Sequence, residues 1–223
     1  MRRGIFVQVR LGSTRLAEKA LLPLRGGTII QHVMRNLSRV PADLRALVTE
    51  ARSREALNPL AKEEGFCVFI GPEIDVLARY CMACREYAVD EVVRATGDNP
   101  LTSAALARSI LALHDGSGAD LSHYLGIPWG SGVEAVRSEA LFAAEREAAD
   151  PVEREHATTF LYRHPDRFRI REPEAPPGCR LPEARVSVDT EEDYALVKRI
   201  FEDLYRGEPI EVGELATWFS ERT

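Results

Sequence analysis

The stretch Ile5–Lys19, IFVQVRLGSTRLAEK, decides how the rest of the chain is read. Its first five residues, Ile5-Phe6-Val7-Gln8-Val9, are a short apolar run of the kind that forms a buried parallel strand. The run then turns polar, with Arg10, Gly12, Ser13, Thr14, Arg15 and Lys19 crowded together. A strand that opens into a glycine-containing loop with three cations suits the C-terminal edge of an open α/β sheet, where ligands bind. Gly12 lets the backbone come close to a ligand, and Ser13 and Thr14 offer hydroxyls and amide donors. Arg15 and Lys19 fall on one side of any helical turn that follows. The group suits a polyphosphate. On spacing alone, a solvated basic loop fits equally well.

Working outward, Thr28 is placed to cap a helix whose apolar stripe is Ile29, Ile30, Val33, Met34 and Leu37. Leu44–Thr49 reads as a second strand, residues from Ser53 as a second helix, and Phe66–Ile70 as a third strand ended by Gly71-Pro72. Glu73–Val89 is expected to be a long helix with Ile74, Leu77, Tyr80, Cys81 and Cys84 inward. Glu91–Ala95 is a fourth strand, and a helix follows near Thr102–His114. This alternation predicts a mostly parallel, doubly wound α/β sheet with helices on both faces. The second half is less regular. It reads as a loop over Gly126–Gly132, helices over Ser138–Ala149 and Val152–Arg163, and a strand within Arg167–Arg171. A proline-rich stretch, Pro173–Pro182, precedes a short strand at Val186–Val188 and a last long helix over Thr190–Tyr205.

The 223 residues suit one domain spanning 1–223, with 45% hydrophobic and 29% charged residues. The net charge is −6, but residues 1–42 carry eight Arg and Lys against the single acid Glu18, so that the remainder holds −13. A cationic region on an acidic chain fits a small polyanion and argues against nucleic acid as a partner. No stretch is long and apolar enough to span a bilayer, and no signal-peptide core is visible, so no membrane partner and a cytoplasmic location are expected. Cys81-x-x-Cys84 has the spacing of a redox or zinc pair. It lies inside a predicted helix with no second ligand pair, and buried thiols are expected.

Asp98 and Asp189 each follow a short β-branched run, so each projects from a strand end on the edge that carries Arg10–Lys19. Two such carboxylates suit Mg²⁺, which takes oxygen ligands and bridges nucleotide phosphates. Taken alone, Asp98 in Asp-Asn-Pro equally suits a turn or helix cap, and Asp189 an N-terminal cap ahead of Glu191 and Glu192. Gly130-Ser131-Gly132-Val133-Glu134-Ala135 fits the dinucleotide fingerprint nominally but lacks a strand leading into it. The sequence has no Walker loop, HExxH, G-x-S-x-G or D-x-D.

Arg10-x-x-Ser13-Thr14-Arg15-Leu16-x-x-Lys19 resembles the signature loop of the cytidylyltransferases, especially the spore-coat polysaccharide branch related to sugar-acid CMP synthetases. Thr96-Gly97-Asp98-Asn99-Pro100-Leu101 and Val188-Asp189-Thr190-x-x-Asp193 match two further family motifs, in the family's order. The resemblance implies a nucleotide-diphospho-sugar transferase fold. It also implies transfer of a nucleotidyl group from a nucleoside triphosphate, CTP by analogy, to a sugar or sugar-acid acceptor with release of pyrophosphate. Arg15, Lys19 and Asp98 would be catalytic. Val9, Arg10, Leu11, Gly12, Ser13, Thr14, Arg15, Lys19, Thr49, Arg94, Thr96 and Gly97 would bind the nucleotide, and Asp98 and Asp189 would hold Mg²⁺. Asp75, Glu134, Glu155 and His156 match positions on the acceptor side. Their ordinary alternatives are a surface helix aspartate for Asp75, a helix-entry acid for Glu134 and a hydrogen-bonded structural histidine for His156. Family members often pair, so a homodimer is expected by resemblance.

The chain departs from the family pattern at three places. Ala17-Glu18 replaces Pro-Gly before the loop lysine, Val48-Thr49-Glu50 replaces Ala-Thr-Ser without the acidic pair that follows, and Ile70-Gly71 replaces Arg-Gly. These departures leave room for a second reading, a relative that binds nucleotide or sugar phosphate without turnover.

Overall fold

The computed structural model describes residues 1–12 and 15–222. Its first strand is β1 (Arg3–Gln8), followed by a 3₁₀ turn at Lys19–Leu21 and a small hairpin of β2 (Pro23–Leu24) and β3 (Gly27–Thr28). Then come α1 (Ile29–Ser38), β4 (Leu44–Thr49), α2 (Arg54–Glu63), β5 (Cys67–Ile70), α3 (Val76–Tyr87), β6 (Glu91–Thr96) and α4 (Ala104–His114). The second half holds β7 (Leu121–Ser122), β8 (Glu134–Arg137), α5 (Ser138–Glu147), α6 (Pro151–Glu155), α7 (Thr159–Arg163), β9 (Ile170–Arg171), α8 (Glu191–Leu204) and α9 (Val212–Ser220).

Seven strands form one sheet in the order β5-β4-β1-β6-β8-β7-β9. β1 pairs in parallel with both β4 and β6, and β4 with β5, as the apolar runs predict. Only β8 runs against its neighbours β6 and β7. The chain moves outward from β1 through β4 to β5, then returns to place β6 on the other side of β1. Such a reversal, here between β1 and β6, is where an open α/β sheet is expected to take a ligand at its C-terminal strand ends.

Alternation along the strands fills two layers. Ile5 and Val7 face α1, α2 and α4, through Ile30, Met34, Leu57 and Ile110. Phe6, Val48 and Val92 face α3, α5 and α7, through Leu77, Tyr80, Leu141 and Phe160. A third cluster packs α8 and α9 against Val186, Val188 and Ile29. Thr28 caps α1 in a capping box with Gln31, as its position predicts. Among the described residues, no helix is long and apolar enough to cross a membrane.

Several expectations need correction. Ile74 is 77% exposed, because α3 begins two residues later with Asp75 as its cap. The helix expected over Val152–Arg163 is two short ones, separated where His156 leaves helical backbone. Val186–Val188 is extended but joins no named strand; it is tied instead to Trp129 and Asp98. Glu134 opens β8 rather than a helix. Four-residue β8 and the terminal α9 have no counterpart in the sequence reading.

Candidate active site

The loop after β1 is held from several sides. Val9 N–H donates to Val48 O at 3.3 Å, Leu11 N–H to Ser53 Oγ at 2.9 Å, and Glu18 N–H back to Leu11 O at 3.3 Å. Gly12 is exposed, and among the described residues a side chain there would meet no atom within 4 Å. Ser13 and Thr14, both expected to touch phosphate, lie outside the described residues. Gly97 is different, because a Cβ there would sit 2.8 Å from Val9, and glycine lets the β6 loop press against the end of β1.

Asp98 and Asp189, 91 residues apart in sequence, meet on one ammonium. Lys19 Nζ donates to Asp98 Oδ2 and to Asp189 Oδ1, each at 2.6 Å. Two such contacts on one nitrogen place the two oxygens at most about 5.2 Å apart, twice that length. The backbone reinforces the meeting, since Val188 N–H donates to Asp98 O at 2.9 Å. Arg15 reaches Asp189 Oδ1 at 3.2 Å, and Arg185 closes on Asp189 Oδ2. Burial alone would push the Asp189 carboxyl up. The Lys19 hydrogen bond, with the charges of Lys19, Arg15 and Arg185, outweighs it and holds Asp189 below the usual carboxylate range.

Neither aspartate is occupied as a helix cap. Thr190 caps α8 through Asp193 N–H, and Asp193 Oδ2 accepts from the N–H groups of Asp189 and Thr190. Ser103 caps α4 by accepting from Leu106 N–H. The local capping duties of an aspartate at 98 or 189 are performed by neighbours, which leaves both carboxylates to the cations around them.

A cleft of about 570 Å³ opens beside this cluster, between the first loop and the segment after β4. Arg10, Leu11, Glu18, Glu50, Arg52 and Ser53 are among its walls. Thr49, expected at the nucleotide, is fully buried with its hydroxyl unpartnered and does not line the cleft. Val9 belongs to the core. Thr96 ends β6 in partial exposure.

On the antiparallel side, Arg94 is engaged within the protein. It pairs with Glu134 at 2.8 Å and with Gln8 Oε1 at 3.0 Å, and Glu134 also accepts from Thr158 Oγ1 and Tyr162 Oη. Burial opposes the charge on Glu134, but Arg94 and these donors outweigh it and keep the carboxyl low. Asp75 caps α3 by accepting from Ala78 N–H and pairs with Arg154. Glu155 meets Arg10 at 3.4 Å, so the segment matched to the acceptor side does reach the first loop. His156 is exposed beside it. Sequence reading gave no site role to Glu50, Ser53 or Arg185, although Glu50 stands out as an acid at a strand's C-terminal end.

Two aspartate oxygens brought onto one ammonium at the sheet edge are donors of the hard, anionic kind that Mg²⁺ takes. Among the described residues no group of three or more His, Cys, Asp or Glu side chains converges, so a cage made only of protein is not what this site offers.

The sequence profile of the family described as Cytidylyltransferase matches residues 5–208. The spore coat polysaccharide biosynthesis protein SpsF of Bacillus subtilis (strain 168) is 30% identical over 218 residues, covering 95% of this chain and 91% of that protein. Among solved structures, a cytidylyltransferase from Leptospira borgpetersenii superposes with a TM-score of 0.89 at 25% identity, covering all of this chain and 95% of the other. CMP:2-keto-3-deoxy-manno-octonic acid synthetase complexed with CTP shares the fold, with a TM-score of 0.70 at 16% identity over 91% of this chain and 99% of the other. With that match running from β1 to beyond α8, the chain belongs to the cytidylyltransferase family of nucleotidyltransferase enzymes.

Proposed function

We propose that this enzyme transfers a CMP group from CTP to a hydroxyl of a sugar or sugar-acid acceptor in polysaccharide precursor synthesis. The acceptor oxygen bonds to the α-phosphorus, the α–β phosphoanhydride bond breaks, and pyrophosphate leaves. The observation that carries this reading is Lys19 held between Asp98 and Asp189, at the strand ends beside a nucleotide-sized cleft. Support for the base comes from the family and from the CTP complex of the fold relative.

Each group then has a task. The nucleoside occupies the cleft, so its phosphates run along the first loop toward Lys19. Arg10 and Arg15, half-exposed or more, are the cations able to swing onto the phosphates, and Lys19 exchanges a carboxylate partner for a phosphate oxygen. Asp98 and Asp189 would hold Mg²⁺, which supplies charge neutralisation at the reacting phosphates when bound. Glu155 and His156 border the loop where the acceptor would enter. Catalysis of this kind is positioning and charge stabilisation. The test is pyrophosphate release from CTP with a panel of sugars, sugar acids and sugar phosphates. Release that requires CTP and one acceptor class supports the reading, and nucleotide binding without release under every condition would refute it.

A further inference from the structure

The cleft contains a buried carboxylate to which the proposed reaction gives no task. Glu50 directly follows β4, is only 4% exposed, and yet lines the cleft. It is held rigidly. Arg52 N–H and Ser53 N–H donate to Oε2 at 2.5 and 3.3 Å, and the Ser53 hydroxyl donates to Oε1. Ser53 Oγ in turn accepts from Leu11 N–H at 2.9 Å, so the same hydroxyl ties Glu50 to the nucleotide loop.

A carboxylate offers about four acceptor positions. Two on Oε2 and one on Oε1 are filled, which leaves one open on Oε1. Because the group is fixed and surrounded by donors, it presents an acceptor to whatever enters the cleft, and it has no hydrogen to give. Cytosine and uracil differ at the place where such a group can tell them apart. Position 4 of cytosine carries an amino donor, and position 4 of uracil a carbonyl acceptor.

We infer that Glu50 reads the pyrimidine, accepting a hydrogen bond at Oε1 from the 4-amino group of cytosine and opposing O4 of uracil. This rests on the reading that a nucleoside triphosphate occupies the cleft. A desolvated acceptor facing another acceptor leaves both unpaired, which is the strong form of discrimination. Ser53 serves as the positioning residue, keeping Glu50 in register with the loop that carries the phosphates.

The experiment is calorimetric titration, with Mg²⁺, of CTP, UTP and the triphosphate of 2-pyrimidinone riboside, which lacks any 4-substituent. The wild type should bind CTP about 10- to 100-fold more tightly than UTP, with the analogue between them. Glu50→Gln keeps the shape and one acceptor but turns an amide donor toward the ring. It should bring the CTP:UTP ratio to within about threefold of unity, by weakening CTP and strengthening UTP. A folded Glu50→Gln protein that keeps the wild-type ratio overturns the inference. Should that variant not fold, the wild type still decides, because an analogue bound as tightly as CTP refutes any role for the amino group. Equal wild-type affinity for CTP and UTP sinks the base reading and leaves the nucleotide site standing. Binding of no triphosphate would sink both.

Discussion

Replacing Glu18 with glycine should make the protein more stable and better at binding nucleotide. Glu18 sits at φ 47°, ψ 30°, the left-handed region. An L-residue there costs roughly 1–2 kcal/mol, and glycine removes that cost while adding about 0.4–1 kcal/mol of unfolded-state freedom. The side chain is exposed, and among the described residues no hydrogen bond or ion pair engages it, so truncation loses little. The net gain is about 0.5–1 kcal/mol, or roughly 1–4 °C in Tm for a chain of this size. The same change removes the carboxylate that precedes Lys19 in sequence, so under the proposed function CTP should bind several-fold more tightly at low salt. Ala88 supplies the control. It has φ 50° at the C-terminal cap of α3 and is exposed, so Ala88→Gly should raise Tm comparably and leave CTP affinity unchanged. Differential scanning calorimetry and titration calorimetry read both effects. A fall in Tm for Glu18→Gly would rule out backbone strain at residue 18, and equal affinity changes in the two variants would rule out the charge effect.

Lys19→Ala should lower Tm in metal-free buffer, because a largely buried ammonium that holds two carboxylates together is not a dispensable loop lysine. Mg²⁺ should then stabilise that variant more than the wild type, and a thermal-shift series showing no difference would separate the aspartates from the metal. Asp98→Asn and Asp189→Asn should each abolish CTP turnover with near-native circular dichroism; retained turnover in either would remove it from the chemistry. Asp189 and Glu134 both lie below the usual carboxylate range. Each therefore stabilises the fold above its unfolded-state pKa of about 4, and that stability is lost as pH falls through the lower folded-state value. Glu134→Gln should accordingly flatten the acid limb of a stability–pH curve, and an unchanged slope would contradict the buried pair with Arg94.

The parallel half of the fold was legible because its strands are continuous apolar runs and its helices carry apolar stripes. Leu44–Thr49 emerged with its observed limits for that reason. The antiparallel half was not, since β8 has only four residues and its first, Glu134, is a charged group satisfied by Arg94, a partner 40 residues away. Ile74 misled because an apolar residue just outside a helix is indistinguishable by period from one inside it. Within the site, the three motifs pointed to Asp98, Asp189 and Lys19, and the geometry brings those together. Thr49 is enclosed and Arg94 is paired with Glu134 and Gln8, features of burial and partnering that their place in the sequence does not display. Glu18 was noticed only as a departure in the loop. Its meaning lies in a backbone angle that sequence does not display.

Whether a cytidylyl group moves to the acceptor is read by following the α-phosphate. CTP labelled at the α-phosphorus should be incubated with Mg²⁺, the enzyme and a panel of sugar-type acceptors, with products resolved by mass. An acceptor–CMP conjugate and pyrophosphate should appear in equal amounts, and both should be absent with Asp98→Asn. Label that stays in CTP with every acceptor, while calorimetry shows the nucleotide bound, would contradict that transfer.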